Sequence, residues 1–247
     1  MASQVRAWPP GAKIGIMWPP HDTEESVLGT DRHQTTITNI RWGINEAAQI
    51  DLTPDQSVPW HALSQIALIG CVRPDGSPIR VYPDIFVYAR PIDPERGSFS
   101  IQGDGPPVLV VEVLSEATYE VDLDLEHGKG FSYARAGILE YLTLDYTRRF
   151  LPEGIRAWRL VDGVYQPWLP DTNGRWQSQQ IGVAFGLEED GVAVYTHDGL
   201  RILREGEVEA ERALAREERN RIREENASLR AEIERLRRLL GERKGQS

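Results

Sequence analysis

The segment Val108–Leu114 constrains the fold more than any other part of this 247-residue chain. Apolar Val and Leu residues occupy both alternating positions of the segment, which is typical of a strand buried on both faces of a sheet. The one exception, Glu112, would place a carboxylate inside that strand. An ionised carboxylate in such a place costs roughly several kcal/mol unless a partner compensates it. The segment therefore predicts a central buried strand with a compensating group beside Glu112.

Asp84 is the matching carboxylate, because it follows Pro83 and begins a second apolar strand, Ile85–Tyr88. On neighbouring strands the two carboxylates would meet, and hard oxygen ligands of this kind suit Mg²⁺ or Mn²⁺. A metal held there can lower the pKa of a bound water and neutralise charge on a phosphodiester. Lys129, on a helix expected after the Glu112 strand, is the candidate ammonium to position or activate that water, with Tyr133 one turn further along the same face.

The flanking sequence alternates helix and strand signals. A helix is predicted from Asp31 to about Ala48, where Ile residues recur at three- and four-residue steps. The other expectations are an irregular Pro/Gly-rich leader at 1–22, a pair of strands within 58–90, a connection at 91–107, a helix from about Asp122 to Ala136 closed by Gly137, and a strand at 138–144.

Two further patterns fill the C-terminal part of the chain. Asp-Gly and Asn-Gly turns recur through residues 155–203 and predict consecutive antiparallel hairpins, with the intervening tryptophans packed in the core. Residues 204–244 are almost all helix formers. Their seam residues alternate four- and three-residue steps at Ile222, Asn226, Leu229, Ile233, Leu236 and Leu240. One Asn in an Ile/Leu seam favours a parallel two-stranded coiled coil, so residues 215–244 predict a homodimer, with a different heptad-bearing partner as the alternative.

The charge distribution and the cysteine content limit which kinds of binding site this chain can form. Residues 1–200 carry 27 Asp and Glu against 15 Lys and Arg, so this body is acidic, and contacts to nucleic acid must be local or metal-assisted. A single cysteine excludes an internal disulfide, and no Cys/His spacing resembles a zinc site. No apolar run approaches the length of a membrane span and the N-terminus lacks a signal-peptide pattern, so we expect a cytoplasmic protein with no membrane partner.

An ordered set of residues resembles the Uma family of restriction-endonuclease-like proteins, which belongs to the PD-(D/E)XK nuclease superfamily. The set comprises Pro83-Asp84, the stretch from Val111 to Thr118, Asp122 and Asp124, Lys129, Tyr133, Gly137 and Glu140-Tyr141. The superfamily pattern would place lysine two residues after the second carboxylate, where this chain has Leu114. The resemblance therefore implies that Lys129 is a relocated lysine, and it leaves open whether Asp122 or Asp124 matches the family's aspartate.

The resemblance implies an α/β (α+β) fold with a restriction-endonuclease-like mixed central sheet flanked by helices, followed by extra β-hairpins and a C-terminal coiled-coil helix. We expect a leader at 1–22, a nuclease-like domain at 23–203 with a C-terminal hairpin extension, and a coiled-coil helix at 204–247. The functional expectation is a Mg²⁺- or Mn²⁺-dependent DNA endonuclease with Asp84 and Glu112 on the metal and Lys129 as the third catalytic residue. The alternative is a non-catalytic scaffold or binding protein that keeps the nuclease fold and dimerises through its coiled coil.

Overall fold

The computed structural model describes residues 31–50, 59–93 and 95–244, so the expected leader at 1–22 lies outside the described residues. The chain divides into two compact units between Ile202 and Leu203. The elements up to the central strand are α1 (Asp31–Ala47), β1 (His61–Leu63), β2 (Ala67–Val72), β3 (Pro78–Val81), β4 (Ile85–Tyr88), β5 (Ser98–Ser100), α2 (Ile101–Asp104) and β6 (Leu109–Val113). The remaining elements are α3 (Tyr119–Leu123), α4 (Lys129–Ala136), β7 (Glu140–Leu144), β8 (Ile155–Val161), β9 (Val164–Trp168), β10 (Arg175–Gln177), β11 (Val183–Glu188), β12 (Gly191–Thr196) and α5 (Glu205–Lys244).

A six-stranded mixed sheet with the strand order β1-β4-β6-β7-β8-β9 organises the first unit. Strand β6 lies inside this sheet, antiparallel to β4 and parallel to β7. Every residue of β6 is buried, which confirms the prediction of a central strand covered on both faces. The mixed α+β architecture is the restriction-endonuclease-like fold that the sequence predicted.

Alternate residues of β6 face two different hydrophobic cores. Val111 and Val113 pack with α1 and with the three-stranded sheet β10-β11-β12, while Val110 packs on the opposite face with Tyr133 of α4 and with the sheet β3-β2-β5. Both parities of the strand are therefore apolar because both faces of the sheet are covered. Glu112 has the same parity as Val110 and points toward α4.

The predicted helix at 31–48 is confirmed as α1. Its buried face comprises Ile37, Ile40, Ile44 and Ala47, at the three- and four-residue steps seen in the sequence. Closer to its first turn, buried His33 reaches the end of β6. The apolar periodicity thus determines which face of α1 is buried, and the His33 contact shows that the first turn of α1 lies at the end of β6.

The structure differs from the sequence-based elements in two places near the site. The range 58–90, where a pair of strands was expected, contains the four strands β1 to β4, and β3 and β4 lie in different sheets because the chain leaves β3 at Tyr82-Pro83 and enters β4 at Ile85. The expected helix from about Asp122 to Ala136 is interrupted, since Gly128 adopts an extended backbone conformation (φ −94°, ψ −156°) before α4. The connection at 91–107 also contains β5 and the single-turn helix α2.

The predicted C-terminal hairpins are confirmed for β8–β9 and β11–β12, whereas the predicted turn at Asn173-Gly174 joins β9 to β10, which lie in different sheets. Asp162 and Gly163 both have positive φ, at 50° and 80°, and they join β8 to β9 in the tight turn that favours such residues. This first hairpin extends the central sheet, whereas β10, β11 and β12 form a separate antiparallel sheet. The side chains of Trp158, Trp168 and Trp176 are buried, as core packing predicted.

The second unit contains α5, a 40-residue helix. The side chains of Ile222, Leu229 and Ile233 are 47%, 55% and 49% exposed. The apolar seam residues whose burial the structure describes are therefore about half exposed. None of the helices in the described part of the chain is both long enough and apolar enough to span a membrane.

Candidate functional site

The sheet register brings Asp84 and Glu112 together. Ile85 pairs with Val111 and Phe86 with Val110 across the antiparallel β4–β6 ladder, so Asp84 stands opposite Glu112. The Asp84 amide donates to Glu112 Oε2 at 3.3 Å, and the Val113 amide donates to Asp84 Oδ2 at 2.8 Å. Each carboxylate thus contacts the backbone of the other's strand, and both are buried. The predicted meeting of these carboxylates on neighbouring strands is observed.

Lys129 lies against this pair, on the face of α4 that also carries Tyr133. Its ammonium is 3.1 Å from Glu112 Oε1, and the Tyr133 hydroxyl donates to the same oxygen at 2.5 Å. A third carboxylate, Asp122 of α3, places Oδ1 at 2.7 Å from Lys129 Nζ. We call Asp84, Glu112, Asp122 and Lys129 the carboxylate–lysine cluster.

Two glycines allow Lys129 to reach the cluster. A Cβ on Gly128 would lie well inside contact distance of the Val121 carbonyl oxygen and 2.7 Å from that of Asp124, so the α3–α4 turn tolerates only glycine there. A Cβ on Gly130 would lie 2.5 Å from Leu125 Cδ2. The close packing of this turn on the start of α4 makes Lys129 the first helical residue and directs it to the sheet.

Burial and mutual charge set the protonation of the cluster. Desolvation raises the pKa of Glu112 from 4.5 to about 8; nearby Lys129 lowers it in part, whereas Asp122 and Asp84 raise it further. Desolvation likewise raises the pKa of Asp84 from 3.8 to about 6. Burial by itself lowers the pKa of Lys129, but the attraction of Asp122, Glu112 and Asp84 outweighs it and raises that pKa above its ordinary value. Burial thus favours the neutral form of Glu112, and the surrounding carboxylates favour the charged form of Lys129.

His33 of α1 also lies at this end of the sheet. Its Nε2 atom is 2.8 Å from the Val113 carbonyl oxygen and 3.8 Å from Asp84 Oδ2. A proton on Nε2 would be donated to that carbonyl, which links α1 to the end of β6. His33 is not among the site residues predicted from the sequence, because its position beside Asp84 depends on how α1 crosses the sheet.

The structure distinguishes the residues that sequence reasoning left open. Asp122 is buried and contacts Lys129, whereas Asp124 accepts hydrogen bonds from the amides of Glu126 and His127 in the turn before α4. His127 is partly exposed and lies near Asp124, away from the cluster. Asp122 therefore joins Asp84, Glu112 and Lys129, while Asp124 has a local structural role.

The donor set fits a divalent cation in chemistry and in charge. Neither carboxylate oxygen of Asp122 has a hydrogen bond of good geometry among the described residues, although Oδ1 is close to the lysine. When all four groups are ionised, three carboxylates beside one ammonium leave two excess negative charges. One Mg²⁺ or Mn²⁺ would balance them. In the described part of the chain, no three His, Cys, Asp or Glu side chains are already arranged as metal ligands.

A mixed sheet flanked by helices, with buried carboxylates at the adjoining ends of the interior strands β4 and β6, is consistent with the restriction-endonuclease-like class. The model of the Uma2 family, described as "putative restriction endonuclease", matches residues 62–194, which cover the central sheet, the cluster and most of the hairpins. The chain therefore belongs to the Uma2 family, as its motifs indicated, and this membership suggests a nuclease function. No curated protein matches the chain.

Proposed function

We propose that this protein is a Mg²⁺- or Mn²⁺-dependent endonuclease that hydrolyses DNA phosphodiester bonds at the carboxylate–lysine cluster. The observation that carries the proposal is the burial of three carboxylates around Lys129, two of them with raised pKa values. Ionising all three carboxylates would leave excess negative charge in a buried site, and a divalent cation would compensate that charge. Restriction-endonuclease-like proteins generally use such metals, which agrees with this charge balance.

Each residue of the cluster has a distinct part in this proposal. Asp84 and Glu112 would hold the metal, and Asp84 is the more exposed of the two, at 8% against 1%. When bound, the metal would lower the pKa of a water molecule and neutralise charge on the scissile phosphate. Lys129 would position that water or the phosphate, with Asp122 keeping the ammonium charged and oriented. Tyr133 fixes the carboxylate of Glu112 by its hydrogen bond.

DNA cleavage with purified protein tests the proposal. Wild-type protein should cut DNA with Mg²⁺ or Mn²⁺ and lose the activity with a chelator, while Asp84→Asn should lose it by at least about a hundredfold, because a carboxamide is a poor metal ligand. Asp75→Asn is the matched control, since Asp75 lies in the exposed turn between β2 and β3. Equal cleavage by Asp84→Asn, or cleavage that ignores the chelator, would overturn the assignment.

We also propose that α5 pairs in parallel with a second copy of the chain through residues 215–244. The proposal rests on the exposed side chains of Ile222, Leu229 and Ile233 and on the position of Asn226 in the same seam. A dimer would supply two clusters, one for each strand of a duplex. Light scattering of the full chain should give twice the monomer mass; a monomer would contradict the pairing, and a larger complex formed only with another protein would favour a heterologous partner.

Two observations favour the second candidate, a non-catalytic scaffold that keeps the nuclease fold. The ammonium of Lys129 is already engaged by Glu112 and Asp122, and the described residues show no preassembled metal-ligand group. Calorimetric titration with Mg²⁺ and Mn²⁺, with and without DNA, separates the two candidates. Saturable binding that Asp84→Asn removes would support the enzyme, whereas no binding under either condition would support the scaffold.

A further inference from the structure

A group of arginine and aromatic side chains lies beside the carboxylate–lysine cluster. We call it the arginine–aromatic rim; it comprises Arg32, Tyr119, Tyr146, Arg148, Arg149 and Phe150. The guanidinium of Arg32 lies over the ring of Tyr146 at 5.1 Å, and that of Arg149 lies over Phe150 at 5.1 Å. Tyr119 stacks on Phe150 with ring centroids 4.4 Å apart and an interplanar angle of 14°. The three arginines are exposed.

The fold places this rim at the same end of the sheet as the cluster. Strands β6 and β7 are parallel and in register up to Val113 and Leu144, so the loops that follow them leave the sheet together. The ion pair between Arg149 and Glu116 joins those two loops at 3.1 Å. Tyr119 lies in α3 one turn before Asp122, and Arg32 immediately precedes His33. Three separate elements therefore connect the rim to the cluster.

The loop after β7 is held in shape by a buried carboxylate. Asp145 accepts hydrogen bonds from the amides of Thr147, Phe150 and Leu151 at 3.0, 2.6 and 2.9 Å. Arg148 has a positive φ of 55°, a conformation that non-glycine residues seldom adopt, and its amide donates to the Asp145 carbonyl oxygen at 3.1 Å. Within the described part of the chain, no hydrogen bond or ion pair engages the Arg148 guanidinium. The loop thus presents this cation outward on a fixed turn.

The charge of the rim contrasts with that of the rest of the body. Residues 1–200 are strongly acidic, so a polyanion would be repelled from most of the surface. At the rim three arginines stand close to the cluster, opposed by Glu116, which pairs with Arg149, and by Glu120, which accepts a hydrogen bond from the Tyr119 hydroxyl. Asp31, next to Arg32, is a third acidic residue here, so the rim attracts phosphates through its individual exposed guanidinium groups, which alternate with aromatic rings that can stack on bases.

We propose that the arginine–aromatic rim is the DNA-binding surface of this protein and guides the phosphate backbone to the carboxylate–lysine cluster. Arg148 and Arg32 contact phosphates on either side of the scissile bond, and Arg149 exchanges Glu116 for a phosphate. The proposal rests on the nuclease function proposed above and names the residues that would select its substrate. The residues proposed to bind DNA lie in three short segments of the chain, and none of them is a proposed metal ligand.

Binding of labelled duplex and single-stranded DNA, measured by fluorescence anisotropy in Ca²⁺ over a salt series, tests the rim. We choose Arg148→Asn, because asparagine tolerates positive φ and removes the charge, and Arg32→Gln. Each variant should weaken DNA binding about tenfold. In the double variant, the slope of log binding constant against log salt concentration should fall by the amount that corresponds to about two lost phosphate contacts. Arg135→Gln is the matched control, since this exposed arginine lies at the end of α4, beside the opposite end of β7.

Glu116→Gln supplies a test in the opposite direction. Removing this carboxylate releases Arg149 and reduces repulsion, so DNA should bind several-fold more tightly. Unchanged DNA affinity in Arg148→Asn and Arg32→Gln, or a loss of affinity equal to that of Arg135→Gln, would overturn the assignment of DNA binding to the rim. If wild-type protein cleaves DNA with Mn²⁺ while these variants bind normally, only the rim is wrong. If DNA binds through the rim but no metal supports cleavage, only the nuclease proposal is wrong.

Discussion

Replacing Glu112 by Gln should change how the stability of the metal-free protein depends on pH. A carboxyl group whose pKa is higher in the folded than in the unfolded chain contributes stability that is fully present below the unfolded value and is lost as pH rises through the folded value. For Glu112 this window runs from 4.5 to about 8, and for Asp84 from 3.8 to about 6. The raised pKa of Lys129 acts only above its ordinary value of 10.5, outside this range.

The size of the effect follows from the width of the window. Between about pH 5.5 and pH 8.5, ionising Glu112 in the folded state should cost the wild type on the order of 3 kcal/mol, at 1.36 kcal/mol per pKa unit. A glutamine at position 112 cannot ionise, so the variant avoids this loss, although its single carbonyl oxygen can replace only one of the two acceptors that Tyr133 and the Asp84 amide contact. Above about pH 6.5, where Asp84 is already ionised, the free energy of unfolding of the variant should change little with pH, while that of the wild type should fall.

Urea unfolding in a chelator over that pH range, for wild type and Glu112→Gln, measures the difference. The free energy of unfolding of the wild type should fall relative to the variant as pH rises, and Mn²⁺ should restore the wild type alone. Parallel pH curves for the two proteins would refute the electrostatic account of the cluster. Asp75→Asn is again the control, because Asp75 is exposed and far from Glu112 in the chain.

Three other changes test the surroundings of the cluster. Gly128→Ala should destabilise the protein by about 1–3 kcal/mol in urea unfolding, because the added Cβ meets the Val121 carbonyl oxygen, whereas Gly206→Ala, with open space around it, should not. Tyr133→Phe removes the hydrogen bond to the buried carboxylate and should cost about 1–3 kcal/mol in the same assay; unchanged stability would contradict that contact. Asn226→Leu should raise the melting temperature of the paired α5 helices and allow oligomers larger than a dimer, which sedimentation would detect. A variant that stays monomeric would argue against pairing through the α5 seam.

Much of the fold could be predicted because strong local signals determine it. The apolar run at Val108–Leu114, the periodic isoleucines of α1 and the Asp-Gly turns each correspond to an observed element. The sequence could not show that Tyr82-Pro83 moves the chain between two sheets, since both flanking strands are apolar. The elements β5 and α2 were missed because each is only three or four residues long and lies among Pro and Gly.

The candidate site was predictable where it depends on the sheet. Glu112 interrupts a buried strand and Asp84 begins its neighbour, so register alone brings them together. Lys129 and Asp122 depend instead on the tight α3–α4 turn, whose only sequence signal is the pair of glycines flanking the lysine. His33 and the arginine–aromatic rim depend on long-range packing between α1, α3 and the loop after β7, which local patterns do not encode.

The most direct test of the central claim is a crystal structure with Mn²⁺ and phosphate, in which anomalous scattering locates the ion. We expect one Mn²⁺ bound to carboxylate oxygens of both Asp84 and Glu112 at about 2.0–2.2 Å, with the Lys129 ammonium within hydrogen-bonding distance of the phosphate or of a metal-bound water. A fully soaked crystal with no ion between Asp84 and Glu112, and with Lys129 still paired to Glu112 and Asp122, would contradict the account.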